Sequence, residues 1–224
     1  MVRGEKFGAV AGFLLCFGNE FDILMAYVKK KGRMGEKDMR VIAGSAKGHK
    51  LQTIEGLDTR PTTDRIKETL FNILAFSLPE CVFLDLFSGS GAIAIEALSR
   101  GAAKAVLVEQ SAACQSVIAQ NLQHTKLQEK AICLQMEVCA ALERLTKEKM
   151  RFDMIYMDPP YTAGLEEVVL QKIVAGNLLQ PDGVLIVEHS AKIALPDVAG
   201  LFVEREKKYK TTVLTFLRLE ESAT

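Results

Sequence analysis

The sequence predicts an α/β fold in which a doubly wound, mostly parallel seven-stranded sheet ends in an antiparallel C-terminal hairpin. Its 224 residues, 49% hydrophobic and 25% charged, are enough for one sizeable core. After Pro79, apolar runs typical of buried strands alternate with helical patterns, which implies right-handed crossovers and helices on both faces. The last two strand-like runs, 201–208 and 212–219, are joined by a short polar turn, as in a hairpin.

Residues 39–224 are predicted to form one domain. Within it, residues 39–58 form a small N-terminal β-hairpin, because two strand-like runs flank Gly44 and Gly48. Residues 59–78 contain the leading helix, with Pro61 near its start and apolar residues at helical spacing. Residues 79–224 form the α/β core. Its predicted strands before the hairpin are 81–86, 104–109, 131–136, 153–158 and 183–188, and its predicted helices are 91–99, 111–123, 138–148 and 164–175.

Residues 1–38 are predicted to be an N-terminal extension that is non-native or poorly ordered. Arg3 and Lys6 precede the apolar run 7–17, which mimics the start of a signal peptide. The run is far shorter than the roughly 20 residues of a membrane span. The preferred interpretation is a segment appended ahead of Met39 or Met34. An export signal and an amphipathic helix packed on the main domain are the alternatives.

Charge and cysteine content restrict the possible functions. Lys+Arg and Asp+Glu number 28 each, so a nucleic-acid site must be a local patch. The stretch between Lys29 and Lys50 has six more positive than negative charges, which fits an RNA-facing patch or a solvated linker. The five cysteines are odd in number and lack a C-x-x-C pair, which favours a reducing compartment over a disulfide framework or structural zinc.

The first predicted strand of the core runs into a glycine-rich turn at Gly89 and Gly91. These glycines permit positive φ and close approach of a ligand, and with Ala94 they satisfy the dinucleotide-binding spacing G-x-G-x-x-G/A. Glu109 ends the next strand, where its carboxylate can accept from two ribose hydroxyls of either NAD or S-adenosylmethionine. Asp85 favours S-adenosylmethionine, because a carboxylate before the glycines can hold a methionine ammonium and would repel a pyrophosphate.

The sequence Asp158-Pro159-Pro160-Tyr161 follows an apolar strand. The prolines cannot continue a sheet ladder, and each restricts the preceding residue to extended geometry. The resulting stiff loop fixes the Asp158 carboxylate, the Pro159 carbonyl and the Tyr161 ring relative to one another. Two acceptors beside a stacking surface suit a planar base held by its exocyclic amino group. An ordinary strand end followed by a turn is the alternative.

With both motifs, the chain resembles the class I, Rossmann-like S-adenosylmethionine-dependent methyltransferases. More narrowly, it resembles the bacterial family that methylates N2 of one guanine in 16S ribosomal RNA. The resemblance covers 39–219 and rests on the segments 39–44, 59–65, 85–91, 96–102, 158–161 and 187–190. Two departures are Glu137, where similar proteins often have Asp, and Lys210-Thr211, which replaces a usual Gly-Asp.

The resemblance implies an enzyme that uses S-adenosylmethionine and acts on ribosomal RNA, in an assembled or partly assembled small subunit. It also implies a cytoplasmic monomer with no membrane or metal requirement. The catalytic residues are then Asp158, Pro159, Pro160 and Tyr161. The cofactor-binding residues are Arg60, Thr62, Arg65, Asp85, Phe87, Ser88, Gly89, Gly91, Glu109, Gln110, Glu137, Val138 and Asp158.

Several alternatives stay open from the sequence. Arg60 and Arg65 either orient the cofactor carboxylate or an RNA phosphate, or only decorate the first helix. His189 is predicted to be a structural residue at a strand end rather than a base. The same motifs would serve a DNA adenine or cytosine methyltransferase or a protein-glutamine methyltransferase. An NAD(P)-binding oxidoreductase and a catalytically idle RNA-binding module are the remaining alternatives.

Overall fold

The structure, a computed structural model, describes residues 39–53, 64–160 and 164–220. Met39–Thr224 form one compact unit. The predicted extension 1–38 lies outside the described residues. Within the described part of the chain, no helix is both long and apolar enough to cross a membrane.

A seven-stranded sheet with the order β3-β2-β1-β4-β5-β7-β6 forms the centre of the domain. The first five strands are parallel, whereas β7 is antiparallel to both β5 and β6. The predicted fold class is therefore confirmed. The strands are β1 (Val82–Leu86), β2 (Lys104–Val108), β3 (Ala131–Leu134), β4 (Phe152–Met157), β5 (Leu179–Ser190), β6 (Leu201–Lys208) and β7 (Thr212–Leu219).

Helices cover both faces of this sheet. They are α1 (Asp64–Ile73), α2 (Ala92–Ser99), α3 (Ala112–Thr125), α4 (Val138–Lys147) and α5 (Glu166–Ala175). Helices α1, α2 and α3, with the segment 39–51, pack on the face that contains Phe83 and Tyr156. Helices α4 and α5 pack on the face that contains Leu84 and Ile155. Because both faces are covered, the central strands are apolar on both sides.

The predicted elements of the core are present with small differences at their ends. The largest difference is in β5, which begins at Leu179 instead of residue 183. Leu179 pairs with Phe152, and an irregularity in the pairing separates this first contact from the regular register that starts at Met154. A bulged strand start leaves no regular apolar alternation, so the pattern alone indicated only residues 183–188. The leading helix ends at Ile73, and its predicted first residues, 59–63, lie outside the described residues.

The described part of the predicted hairpin at 39–58, residues 39–53, pairs its two runs antiparallel through a bridge between Arg40 and Lys50. The N–H of Leu51 donates to the Met39 carbonyl oxygen at 2.7 Å, and the N–H of Val41 donates to the His49 carbonyl oxygen at 3.0 Å. The backbone of this segment is also bonded to side chains of α2. Two N–H groups, of Ile42 and Ala43, donate to the Glu96 carboxylate at 2.8 and 3.0 Å. The N–H of Ala46 donates to the Ser99 hydroxyl at 2.9 Å.

Glu96 is fully buried in the otherwise apolar helix α2 and forms ion pairs with two cations. Its carboxylate lies 2.8 Å from Arg100 Nε and 3.3 Å from Lys67 Nζ, and the Lys67 side chain is itself 2% exposed. Lys67 also donates to the Arg40 carbonyl oxygen. The cluster therefore joins α1, α2 and the segment 39–51 through one buried carboxylate.

Candidate active site

The site lies at β1, where the order in which the parallel strands are added to the sheet reverses. From β1 the chain adds β2 and β3 on one side of the sheet and then crosses back to add β4 and β5 on the other side. Ligands bind at such a switch point, beyond the carboxyl ends of the strands. Asp85 lies near the carboxyl end of β1, and Asp158 directly follows β4. Asp85 pairs in register with Tyr156, so alternation along β4 puts Asp158 on the same face of the sheet.

Asp85 is a buried carboxylate held by the helix and turn that follow it. Its Oδ2 accepts the Ala94 N–H at 3.2 Å, and the Ser88 hydroxyl donates to the Asp85 carbonyl oxygen at 2.8 Å. Burial raises the pKa of Asp85 from 3.8 to about 8, and the charge of Glu109 acts in the same direction. Among the described residues no cation pairs with Asp85, so this carboxylate is suited to a cationic ligand.

The glycine-rich turn connects Asp85 to Glu109. Phe87 and Gly89 have φ values of 65° and 55°, and a Cβ added at Gly89 would meet no atom within 4 Å. The Gly89 N–H donates to Glu109 Oε2 at 3.0 Å, and the Ser111 N–H donates to Oε1 at 2.8 Å. The open side of the turn therefore faces space for a ligand, beside a carboxylate whose position is fixed by backbone bonds.

The remaining predicted cofactor residues of the described chain lie around this turn or after β3. Gly91 has a φ of 78° and precedes α2, and Gln110 is exposed after β2. Glu137 is the N-cap of α4, where its Oε2 accepts from the N–H groups of Cys139 and Ala140 at 2.8 and 3.2 Å. Val138 has a buried side chain in the core, so only its backbone is available to a ligand.

Asp158 and its two prolines occupy the predicted place at the end of β4. Asp158 is partly buried, Pro159 is buried and Pro160 is exposed. Burial raises the pKa of Asp158 well above its ordinary value, and the charges of Glu188 and Asp85 raise it further. A carboxyl group in this position binds a proton more tightly than an exposed aspartate does.

Some predicted residues are not brought to this site by the described structure. Arg60, Thr62 and Tyr161 lie outside the described residues. Arg65 is exposed in the first turn of α1. His189 is buried at the end of β5, where its Nε2 lies 2.9 Å from the Thr215 hydroxyl and its Nδ1 lies 3.1 Å from the Ile193 carbonyl oxygen. These bonds agree with the structural role expected from the sequence.

The structure adds three residues that sequence reasoning missed. The Tyr156 hydroxyl donates to Glu188 Oε2 at 2.5 Å, and both side chains are buried. Asn121 donates to the carbonyl oxygens of Ser90 and Gln52, each at 3.0 Å, and accepts the Gln52 N–H at 2.8 Å. A carboxylate at the end of the apolar run 184–187 was the available signal for Glu188. The sequence contained no signal for Asn121, because polar residues are common along a half-exposed helix.

These residues fit S-adenosylmethionine. The buried Asp85 carboxylate suits the ammonium group, the Glu109 carboxylate suits two ribose hydroxyls, and the open turn at Gly89 admits close approach. Within the described residues, no group of three or more His, Cys, Asp or Glu side chains could hold a metal ion.

Comparison with known proteins agrees with this geometry. A family model described as "Conserved hypothetical protein 95" matches residues 39–218. The chain belongs to this family. Ribosomal RNA small subunit methyltransferase D of Escherichia coli (strain K12) is 34% identical to it, over 80% of this chain and 89% of that protein. The protein of the same name from Haemophilus influenzae is 32% identical, over 67% of this chain and 78% of that protein.

Solved structures of similar proteins share the fold. The yhhF protein of Escherichia coli superposes with a TM-score of 0.73 at 31% identity, covering 82% of this chain and 99% of that chain. A hypothetical protein from a Thermus species superposes with a TM-score of 0.70 at 27% identity, covering 80% of this chain and 99% of that chain. The family membership confirms the prediction that the chain is an S-adenosylmethionine-dependent methyltransferase.

Proposed function

We propose that this chain transfers a methyl group from S-adenosylmethionine to the exocyclic N2 amine of one guanine in small-subunit ribosomal RNA. The observation that carries the proposal is the placement of Asp158 beside Asp85 at the switch point of the sheet. The names of the relatives support ribosomal RNA as the substrate. Because small subunits assemble in the bacterial cytoplasm, we place the activity there, in a monomer acting on an assembled or partly assembled subunit.

S-adenosylmethionine supplies the electrophilic methyl group and a positive charge at sulfur. In the proposed complex, Asp85 holds its ammonium, Glu109 accepts from its ribose, and Glu137 with the Val138 backbone contacts its adenine. Gly89 and Gly91, with Phe87, Ser88 and Gln110, form the surrounding turn and loop. Arg60, Thr62 and Arg65 are assigned to its carboxylate, since guanidinium geometry suits a carboxylate.

The loop after β4 activates the amine. The lone pair of an exocyclic guanine amine is delocalised into the ring, so the nitrogen is a poor nucleophile. When the Asp158 carboxylate and the Pro159 carbonyl each accept one N–H bond, the nitrogen is biased towards sp³ and its lone pair can point at the methyl group. Tyr161 stacks on the base, a contact worth about 1–3 kcal/mol. The rate then comes from positioning and preorganised acceptors, and Pro160 keeps the loop extended.

An NAD(P)-binding function is disfavoured by the same turn. A pyrophosphate binds through free N–H groups at a helix N-terminus. Here the N–H of Ala94 donates to Asp85 and the N–H of Gly89 donates to Glu109. Two carboxylates therefore occupy two of the N–H donors around this turn, and their charge would repel a pyrophosphate.

Methylation of small ribosomal subunits tests the proposal. Subunits from a strain that lacks the enzyme, and naked 16S RNA from the same strain, are incubated with the protein and tritiated S-adenosylmethionine. We expect label in the subunits, recovered after nucleoside digestion as N2-methylguanosine. Label in another nucleoside, or methyl transfer only to DNA or to protein glutamine, would show that guanine N2 is not the methylated group. Binding of NADH in place of S-adenosylhomocysteine in calorimetric titrations would reject the methyltransferase assignment.

A further inference from the structure

Asp158 has a buried tyrosine–glutamate pair beside it. Met157 pairs in parallel register with Val187, so the next residues along the two strands, Asp158 and Glu188, are neighbours. Tyr156 pairs with Ile186, two positions earlier in each strand, and therefore shares this face. The Tyr156 and Glu188 side chains are 2% and 4% exposed, and their hydroxyl–carboxylate bond is 2.5 Å long.

This short bond favours the ionised form of Glu188. A hydroxyl that donates to a carboxylate stabilises the anion, and such charge-assisted bonds are shorter and stronger than neutral ones. Tyr156 and Glu188 thus place a negative charge directly beside Asp158. A stabilising role for the fold alone would not require this charge to adjoin the loop that carries the chemistry.

The charged groups around Asp158 come from three neighbouring strands. Glu188 on β5 and Asp85 on β1 both act on Asp158 and raise its pKa, in addition to burial. Tyr156 on β4 is bonded to Glu188. Lys67 of α1, a buried cation on this face of the sheet, lies 3.3 Å from the carboxylate of Glu96. Within the part of the chain that the structure describes, Glu188 and Asp85 are therefore the charges that act on Asp158, and both are negative.

We propose that Glu188 is a positioning residue for methyl transfer, and that its anion, held by Tyr156, makes Asp158 the group that takes the proton from the methylated amine. This inference rests on the proposed function. As the guanine nitrogen forms its bond to the methyl carbon, the carbon–sulfur bond breaks and its electron pair stays on sulfur. The nitrogen then loses one N–H proton to the Asp158 carboxylate, which later releases it to water.

The negative cluster also sets when Asp158 takes the proton. A positive charge bound near Asp158 favours its ionised form, so the carboxylate can accept the amine N–H bonds before transfer. Transfer removes the charge from sulfur and creates one on nitrogen. Glu188 then favours the protonated form of Asp158 at the moment the amine must lose a proton. Glu188 thereby links the proton affinity of Asp158 to the progress of the reaction.

The first test measures this electrostatic link without any reaction. Carboxyl carbons of ¹³C-aspartate-labelled, cofactor-free protein are titrated by NMR, and the Asp158 signal is assigned by its loss in D158N. We expect E188Q to lower the Asp158 midpoint by at least one pH unit. The matched control is E206Q, which removes the same charge from an exposed position of β6 and should leave the midpoint unchanged. An unchanged midpoint in E188Q would overturn the proposal.

The second test measures the pH profile of methyl transfer. We expect E188Q to lower kcat at least tenfold near pH 7 with little change in the KM for cofactor, and E188D to restore part of the loss. Y156F should shift the profile in the same direction, and the double variant should be no worse than E188Q alone. Circular dichroism verifies that each variant is folded. If E188Q does not fold, the pH profile of Y156F, which lacks the hydroxyl bonded to Glu188, tests the proposal instead. A normal kcat in E188Q with a shifted midpoint would overturn the positioning role.

The two tests separate this inference from the proposed function. A shifted Asp158 midpoint in a protein that methylates no ribosomal RNA would reject the proposed substrate and keep the electrostatic link. Methylation of subunits by the wild type, with E188Q indistinguishable from it in both measurements, would reject the role of Glu188 and keep the proposed function.

Discussion

The side chain of Asn121 donates to the Ser90 carbonyl oxygen of the glycine-rich turn at 3.0 Å. The same amide is bonded to both the N–H and the carbonyl oxygen of Gln52. Asn121 is 1% exposed, so one buried side chain joins the glycine-rich turn to the segment 39–53. The position of the turn therefore depends on how the N-terminal segment packs.

Replacing Asn121 is expected to weaken cofactor binding from a distance. N121A leaves the polar backbone groups of Gln52 and Ser90 without this partner, at a cost of about 1–3 kcal/mol in stability. We expect the affinity for S-adenosylhomocysteine to fall several-fold in isothermal titration. The neighbouring, exposed Gln120 provides the control, and Q120A should bind as the wild type does. Equal affinities for N121A and wild type would show that the turn is rigid without this link.

Asp158 is expected to be essential for turnover and of little importance for cofactor affinity. D158A removes one acceptor of the amine N–H bonds, so methyl transfer should fall by at least a thousandfold, about 4 kcal/mol in the barrier. Affinity for S-adenosylhomocysteine should stay within a few-fold of wild type. D182A, at an exposed position of β5, is the control for loss of a carboxylate. Retained turnover in D158A would contradict the mechanism.

The raised pKa of Asp85 predicts a pH dependence of stability. Its folded pKa of about 8 exceeds the ordinary 3.8, so the folded protein binds more protons than the unfolded chain between these values. The free energy of unfolding should therefore decrease as pH rises from about 4 to about 8, by a few kcal/mol in order of magnitude. Urea unfolding of the cofactor-free protein at pH 5 and pH 8 measures this change. In D85N, the free energy of unfolding should differ less between pH 5 and pH 8 than it does in the wild type. A difference as large as that of the wild type would assign the effect to other groups.

Glu96 is expected to be the most costly carboxylate to remove. E96A removes the Glu96 carboxylate from the buried ammonium of Lys67 and frees the N–H groups of Ile42 and Ala43. Removing one partner of a buried ion pair costs about 3–5 kcal/mol. Denaturant unfolding gives the measured value. E143A, which breaks the exposed pair with Lys172, is the control and should change stability very little.

Gly44 is expected to tolerate no side chain. Its φ is +86°, and a Cβ would lie 1.8 Å from the Ser99 carbonyl oxygen. We expect G44A to lower the free energy of unfolding by about 3 kcal/mol or more, because overpacking adds to backbone strain. G48A separates the two effects, since Gly48 has a φ of +85° and no atom within 4 Å of an added Cβ. A similar loss in both variants would mean that strain alone accounts for the effect.

The sequence was sufficient to predict the parallel core and the loop that begins at Asp158. Each of those features depends on local information: apolar runs of strand length, a glycine turn, and two prolines that end a ladder. The contacts that hold residues 39–53 on the core have the opposite origin. Two strand-like runs indicated the hairpin, and Arg40 and Lys50 do pair. The backbone partners of Ile42 and Ala46, however, are Glu96 and Ser99, more than 50 residues away, which no local pattern could indicate.

The buried polar pairs could not be predicted for the same reason. Tyr156 and Glu188 are 32 residues apart and meet because β4 and β5 pair in one particular register. A shift of one residue would turn Glu188 to the opposite face of the sheet. Glu96 gave a partial signal, since a lone carboxylate inside the apolar run of α2 requires buried partners. The identity of those partners, Lys67 and Arg100, depends on how α1 packs against α2.

The outer strand β6 has a consequence for how copies of this protein meet in solution. Only its first residue, Leu201, is buried, and the five positions 204–208 are all charged. Another chain that extended the sheet at this edge would have to dehydrate these side chains, and the irregular pairing near Val203 disturbs the ladder it would continue. The opposite edge, β3, is only four residues long. Both borders of the sheet therefore discourage aggregation by strand addition, even at the high protein concentrations found in cells.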